Sequence, residues 1–427
     1  MLEGSNKAVE LRLLSAHYGL NMTLSAFPAQ TIDLLTPADL QASGMDKWTR
    51  YPGCIGAFIA EMDYGCPEPV RSALRDTVTS GSLGYLSVEH VGDLARSTAG
   101  FLERSFGWAV PTEWVRPLAD IVQAFDVFLQ HFVGAGGTII VPTPAYMPFI
   151  SVPELVGVSV VEIPMLRHGT EWQLDLPAIE AAFAAGARAL VLCHPHNPIG
   201  KVYSARELQQ VCDVVERAGA IVFSDEIHAP IMLAEEAKHV PYASVSPAAA
   251  AHSMTAISAS KAFNIPGTKC CQVVLTSPEH REIWQRVGQW YEHQTSTLGV
   301  YASLAAYDHG AEWLEGALDY LRENIRLCIE TLEERAPAVR ILPPQASYLL
   351  WIDVRETALW ATRGSDDVAS EIRERCGVAV TDGRECGDVG LGHIRFNAAM
   401  PRPVLRVALQ DLAHALTSRE NELPLTR

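Results

Sequence analysis

Apolar positions gather in short unbroken runs through the middle of the chain. Thr138–Val141 (TIIV), Ala189–Cys193 (ALVLC), Ala220–Phe223 (AIVF) and Met254–Ile257 (MTAI) are compact, apolar and partly β-branched. Runs without polar alternation predict strands covered on both faces of a parallel or mixed sheet. Between the second and third runs the period changes. Leu208, Val211, Cys212 and Val215 recur at helical spacing. Ser204 and Glu207 form an S-x-x-E capping box ahead of them, and Gly219 supplies the stop. Strand, helix and strand in succession make a βαβ unit, so the centre of the chain reads as an α/β domain.

The texture shifts later. Residues 311–335 read as a helix charged on one face, Tyr348–Val354 (YLLWIDV) as a strand, and a further helix is predicted near 366–376. We expect a smaller α+β domain from 31–75 and 311–420 beside a large domain over 76–310. The stretch 285–330 would carry the chain from one to the other. Residues 1–30 read as an N-terminal extension of mixed charge and weak period, and the polar tail from Ser418 is expected to fray.

Composition narrows the class. The chain has 427 residues, 48% hydrophobic, enough to bury a large core. Its formal net charge of -17 opposes binding to nucleic acid or to an anionic membrane surface. No apolar stretch is long enough for a membrane helix, and the N-terminal region lacks a signal-peptide pattern. The nine cysteines are scattered with no CxxC pair, so a disulfide framework and a metal site are not expected. A cytoplasmic, thiol-reduced protein is the expectation.

The residues just past each predicted strand carry the chemistry. Tyr146 comes after the first run, Asn197 after the second, Asp225 after the third, and Ser258, Ser260 and Lys261 after the fourth. In open α/β sheets ligands bind beyond the carboxyl ends of strands, so these groups would meet in one crevice. A lysine there can form a Schiff base with an aldehyde. A carboxylate can keep a pyridine nitrogen protonated, an aromatic face can stack on a flat ring, and hydroxyls near a helix N-terminus can hold phosphate. Pyridoxal 5′-phosphate has all four features and acts as an electron sink for a carbanion.

The runs HNPIGKVYSARELQQVCDVVERAGAIVFSDEIHAP and SASKAFNIPGTKC resemble fold-type I pyridoxal-phosphate enzymes, the aspartate aminotransferase-like superfamily. DEIH, with KWTRY, AEMDY, VPTPAYMPF, PQASYLLWIDV and GHIRFNAAMPR, is most similar to the MalY/PatB group of cystathionine β-lyases, which are carbon–sulfur lyases. The resemblance covers about 31–420. It implies a large mixed-sheet domain, a smaller α+β domain, and a homodimer with shared active sites acting on a small amino-acid substrate.

The resemblance also implies roles. Lys261 would be the catalytic amine, Asp225 the partner of the pyridinium, Asn197 the partner of the ring oxygen, and Tyr146 the stacking ring. Ser258, Ser260 and Lys269 would serve the phosphate. Asp120 and Ile121 stand where the family has a Gly/Ser-rich phosphate turn, and an acid there is unfavourable unless it caps the helix and points away. Tyr85 would reach the neighbouring subunit's phosphate, and Arg395 would grip the substrate α-carboxylate. His228 has two readings, a contact to the cofactor or a satisfied histidine behind Asp225. The reaction implied is α,β-elimination from cystathionine or another S-substituted cysteine, giving a thiol, pyruvate and ammonia. An aminotransferase uses the same groups and is the alternative; a binding protein that keeps the fold is a third reading.

Overall fold

The structure is a computed structural model that describes residues 27–418 apart from 170 and 364–366. The predicted apolar runs are strands of one seven-stranded sheet. In chain order these are β1 (Val115–Leu118), β2 (Thr138–Thr143), β3 (Ser159–Pro164), β4 (Ala189–Cys193), β5 (Ile221–Asp225), β6 (Ser253–Ile257) and β7 (Cys271–Leu275). Across the sheet they lie β1-β7-β6-β5-β4-β2-β3. Strands β2 to β6 pair in parallel, whereas β7 is antiparallel to both β6 and β1. Six strands therefore run one way and β7 runs against them.

Strand β4 is buried along its whole length because each face is covered. Leu190 and Leu192 pack with Leu208, Val211, Cys212 and Val215 of the helix Ala205–Ala218. Ala189, Val191 and Cys193 share the opposite layer with Ala124, Phe125 and Phe128 of the helix Ile121–Phe128. Neither face meets water, so no polar alternation survives in the sequence. The capping box forms as expected: the Glu207 N–H donates to Ser204 Oγ at 3.3 Å, and the Ser204 N–H donates to the Glu207 carboxylate at 2.8 Å.

The strand directions decide where the chemistry goes. The carboxyl ends of β1, β2, β4, β5 and β6 reach one edge of the sheet. The reversed β7 brings Lys269 and Cys270, which precede it, to the same edge.

A second layer system adjoins that edge. Strands β8 (Arg340–Ile341), β9 (Leu349–Asp353), β10 (Thr381–Asp382) and β11 (His393–Asn397) form a sheet in the order β8-β9-β11-β10. The helices Ala311–Arg335 and Arg402–Thr417 pack with it in one apolar cluster. The helix predicted near 366–376 is Val368–Cys376. An early segment joins this layer, since Ile55 and Gly56 pair in parallel with Val378 and Ala379. The stretch 285–330 is helical, with a break between Glu292 and Thr297 and another at Gly310.

Gly200 locks the two layers together. Its φ is +67°, and a Cβ there would collide with Pro344. Its carbonyl accepts the N–H groups of Gln345 and Ala346 at 2.9 and 3.0 Å. The extension expected over 1–30 lies outside the described residues up to 26. Phe27 is wedged between Tyr64 and Trp313, with ring centroids 5.5 and 5.4 Å away. The tail beyond Ser418 also lies outside them. Among the described residues no helix is long and apolar enough to cross a membrane. All nine cysteines are in the thiol form.

Candidate active site

A cavity of about 430 Å³ opens at the shared edge. Its wall includes Asp120, Ile121, Tyr146, Asn197, Asp225, His228, Ser258, Ser260, Lys261, Lys269 and Arg395. Every residue singled out from the sequence is thus brought together except Tyr85. That ring is 85% exposed and lies against His293 at 5.0 Å. A larger recess of about 900 Å³, lined by Trp172, Lys201 and Tyr203, contains none of these residues.

Lys261 stands on the short helix Ala259–Ala262 that follows β6. Its Nζ donates to the Ala60 carbonyl at 2.8 Å, and Tyr348 Oη donates to the same oxygen at 3.0 Å. Burial pushes the ammonium down to about 8, with Arg395 adding to the fall while Glu61 and Asp225 oppose it. Asp225 ends β5, where its neighbours across the sheet are Cys193 and Ala256. One carboxylate oxygen accepts the Ile227 N–H at 3.1 Å. Burial pushes this carboxyl up to about 7, against the pull of the Ile227 N–H and the Lys261 charge.

Arg395 projects from β11, between Trp351 of β9 and Thr381 of β10. It is 3% exposed. Nη1 donates to Asn197 Oδ1 at 3.2 Å, and Nη2 donates to the Phe58 carbonyl at 2.9 Å and to Thr381 Oγ1 at 3.3 Å. Asn197 is aimed by the turn after β4, where its N–H donates to Cys193 Sγ at 3.4 Å. Tyr146 presents its ring to the cavity, braced edge-on by Phe149 at 5.5 Å.

The β1 and β7 termini meet by register. Leu118 pairs with Cys271, so Asp120, two residues past the end of β1, and Lys269, two residues ahead of β7, face one another. Lys269 Nζ donates to Asp120 at 2.7 Å. Asp120 also caps the helix Ile121–Phe128, accepting the Gln123 N–H at 2.8 Å. Burial raises this carboxyl, but Lys269 and the helix N–H groups outweigh it and hold it below the ordinary range. The acid is therefore offset by an ammonium on one side and by a helix N–H on the other. Ser258 Oγ donates to the Cys270 carbonyl at 2.8 Å and accepts the Ser260 N–H at 3.1 Å.

Several buried groups here have incomplete partner sets. His228 Nδ1 and Arg395 Nε make no hydrogen bond, and among the described residues Asp225 has no salt bridge. Burial drives the His228 imidazole down to about 3, so it is neutral and not a charge partner for Asp225. A buried carboxylate without a cation costs several kcal/mol. A flat ligand with a protonated ring nitrogen at Asp225, an oxygen near Asn197 and His228, and a phosphate near Ser258 and Lys269 would satisfy this set. Glu226 is committed elsewhere: it accepts from Ser224 Oγ and the Tyr242 N–H at 2.9 and 3.0 Å and bonds His239 at 2.7 Å.

The sequence profile of class I and II aminotransferases matches residues 57–412. The chain belongs to that aminotransferase family. It is 32% identical to a cystathionine beta-lyase of Corynebacterium glutamicum over 373 residues, which span 87% of this chain and 96% of that protein. Cystathionine beta-lyase PatB of Bacillus subtilis is 28% identical, with 87% of this chain and 96% of that protein covered. A Corynebacterium diphtheriae structure assigned as a PLP-dependent beta-cystathionase superimposes with a TM-score of 0.84 at 34% identity, covering 90% of this chain and 99% of that one. The architecture is that of fold type I in this family, as the motifs implied.

Some of the wall was not foreseen. Ala60 and Phe58 contribute carbonyls, and a carbonyl leaves no residue-type signal. Arg50, Tyr51 and Glu385 also line the cavity. KWTRY contains the first two, but its spacing alone does not say that it faces a site.

Proposed function

We propose that this aminotransferase-family protein is a pyridoxal-phosphate-dependent carbon–sulfur β-lyase. It cleaves cystathionine or a related S-substituted cysteine to a thiol, pyruvate and ammonia. The observation that carries the reading is the placement of Lys261 and Asp225 in one cavity, near enough for each charge to shift the other. The names of the relatives favour the lyase over the transaminase.

In this reading Asp225 holds the ring nitrogen, Asn197 and His228 the ring oxygen, and Tyr146 the ring face. The opening amides of the helix Ile121–Phe128, with Ser258, Ser260 and Lys269, hold the phosphate. When bound there, pyridoxal 5′-phosphate supplies an electron sink for the pair left on the substrate Cα. Arg395 fixes the substrate α-carboxylate by its guanidinium fork, which orients the Cα–H toward Lys261. Lys261 Nζ takes that proton, and its depressed pKa suits a base working near neutrality. The Cβ–S bond breaks with its electrons going to sulfur, and Lys261 returns a proton there. Water completes the release of pyruvate and ammonia.

A second copy of the chain belongs to the reading. Leu83, Tyr85, Val88 and Trp290 are large apolar side chains left 56%, 85%, 92% and 74% exposed. A homodimer that buries them would carry Tyr85 to the partner's cavity. Nine cysteines without a disulfide suit a reducing cytoplasm.

The test is product analysis on purified holoenzyme. Pyruvate and homocysteine should form from cystathionine, and Lys261→Ala should abolish both along with the visible band of the bound cofactor. Formation of the pyridoxamine form and a 2-oxo acid, with no thiol, would make the protein an aminotransferase instead.

A further inference from the structure

The segment 57–61 runs past the cavity, which Phe58, Ile59 and Ala60 help to line. Two residues of β11 take four of its five carbonyls. The Asn397 N–H donates to the Ala57 carbonyl at 2.9 Å, and Arg395 Nη2 donates to that of Phe58. Asn397 Nδ2 donates to the carbonyls of Ile59 and Glu61 at 2.6 and 2.7 Å. The fifth carbonyl, at Ala60, accepts instead from Lys261 Nζ and Tyr348 Oη.

That exception has a backbone cause. The Glu61 N–H donates to the Ile59 carbonyl at 2.9 Å, which makes a three-residue turn with Ala60 at its centre. Asn397 bonds the carbonyls at both ends of this turn. Its Oδ1 accepts the Ala399 N–H at 2.7 Å, so the amide is held on both its polar atoms. Asn397 is fully buried, where no water replaces a lost partner. It stands two residues beyond Arg395 on one strand, so both side chains lie on the same face.

We infer that Asn397 is a positioning residue for the catalytic amine: by holding both ends of the turn, it fixes the Ala60 carbonyl where Lys261 Nζ meets it. The inference rests on the reading of Lys261 as the amine that carries the cofactor and takes the Cα proton. An amine with one N–H tied to a fixed carbonyl presents its lone pair in one direction, as proton transfer from Cα requires. The same bond favours the ammonium, because a carbonyl accepts more strongly from a charged donor. Freeing the turn therefore has two opposite effects: the amine is neutral more often, and it is aimed less well.

The experiment compares Asn397→Ala with wild type in two measurements. The first is uptake of pyridoxal 5′-phosphate by the apoprotein, followed by stopped-flow absorbance. Uptake at pH 7 should become about fivefold faster, as expected when the ammonium loses about one hydrogen bond. The second is pyruvate release from cystathionine by the holoenzyme. Here kcat should fall about tenfold with KM changed less than about twofold, since Arg395 keeps Asn197 and Thr381. Glu61, Arg395 and Asp225, the charges that act on Lys261, all remain in the variant. An asparagine that only supported the fold would slow uptake and turnover together. Ala60→Gly frees the turn without opening the core, and should speed uptake by a smaller factor; it decides the matter if Asn397→Ala does not fold. Uptake at pH 7 no faster than wild type, or a loss of turnover confined to KM, overturns the inference. Wild-type protein that binds the cofactor but forms a 2-oxo acid and no thiol overturns the lyase reading alone, because the uptake measurement does not pass through carbon–sulfur cleavage.

Discussion

Lys261 sits where solvation and charge pull against each other. Burial favours the neutral amine, and Glu61 and Asp225 favour the ammonium; burial wins, and the pKa falls from 10.5 to about 8. The neutral amine is the form that attacks an aldehyde. Uptake of pyridoxal 5′-phosphate by the apoprotein should therefore speed up about tenfold per pH unit below 8 and level off above it. Stopped-flow absorbance from pH 6 to 10 measures this; a rise that continues to pH 10 would mark an ordinary surface lysine. Asp120 gives a second expectation at this scale. It caps its helix, yet places a carboxylate beside the proposed phosphate position. Asp120→Asn keeps a capping side chain and removes the charge. Cofactor affinity should rise several-fold in an absorbance titration. A weaker complex would mean that the Asp120–Lys269 pair positions Lys269 rather than competing for it.

Among elements, the turn after β4 is constrained at Gly200. Gly200→Ala must place a side chain at positive φ against Pro344, so the turn has to withdraw from the second layer. The expected cost is about 2 kcal/mol or more, read as a lower urea midpoint, together with looser cofactor binding because Asn197 moves with the turn. A variant with wild-type midpoint and affinity would show that this contact is dispensable. The elements legible in the sequence were those whose surroundings leave a pattern. Strands β2, β4, β5 and β6 are covered on both faces and read as apolar runs, and the helix Ala205–Ala218 announces both of its ends. Strand β1 was not foreseen, since Arg116 and Pro117 interrupt its apolar positions. The pairing of Asp120 with Lys269 depends on β7 running backwards, and direction leaves no mark on composition. Lys261, Asp225, Asn197 and Arg395 were legible through motifs. The carbonyls of Ala60 and Phe58 were not, because any residue could provide them.

At the scale of the molecule, the exposed apolar group around Tyr85 and the phosphate end of the cavity belong to one question. If Tyr85 serves the partner's site, then Lys261→Ala and Tyr85→Ala should each be crippled alone. Mixing and refolding the two together should restore pyruvate release, since a mixed dimer carries one site with an intact lysine and an intact tyrosine. No recovery, with dimers verified by sedimentation, would confine Tyr85 to its own chain. The proposed dimer also makes the two sites answer to a shared interface, so Val88→Asp should lower activity at low protein concentration more than at high.

The placement of Arg395 has a consequence for how the protein comes into being. Every side chain proposed to touch the cofactor from the same chain precedes residue 270, whereas the guanidinium proposed to grip the substrate arrives on β11, near the end. As the ribosome emits the chain, the vitamin-binding half is complete first. A nascent polypeptide could load its coenzyme while still unable to seize an amino acid, and turnover would begin only once the last strand is inserted.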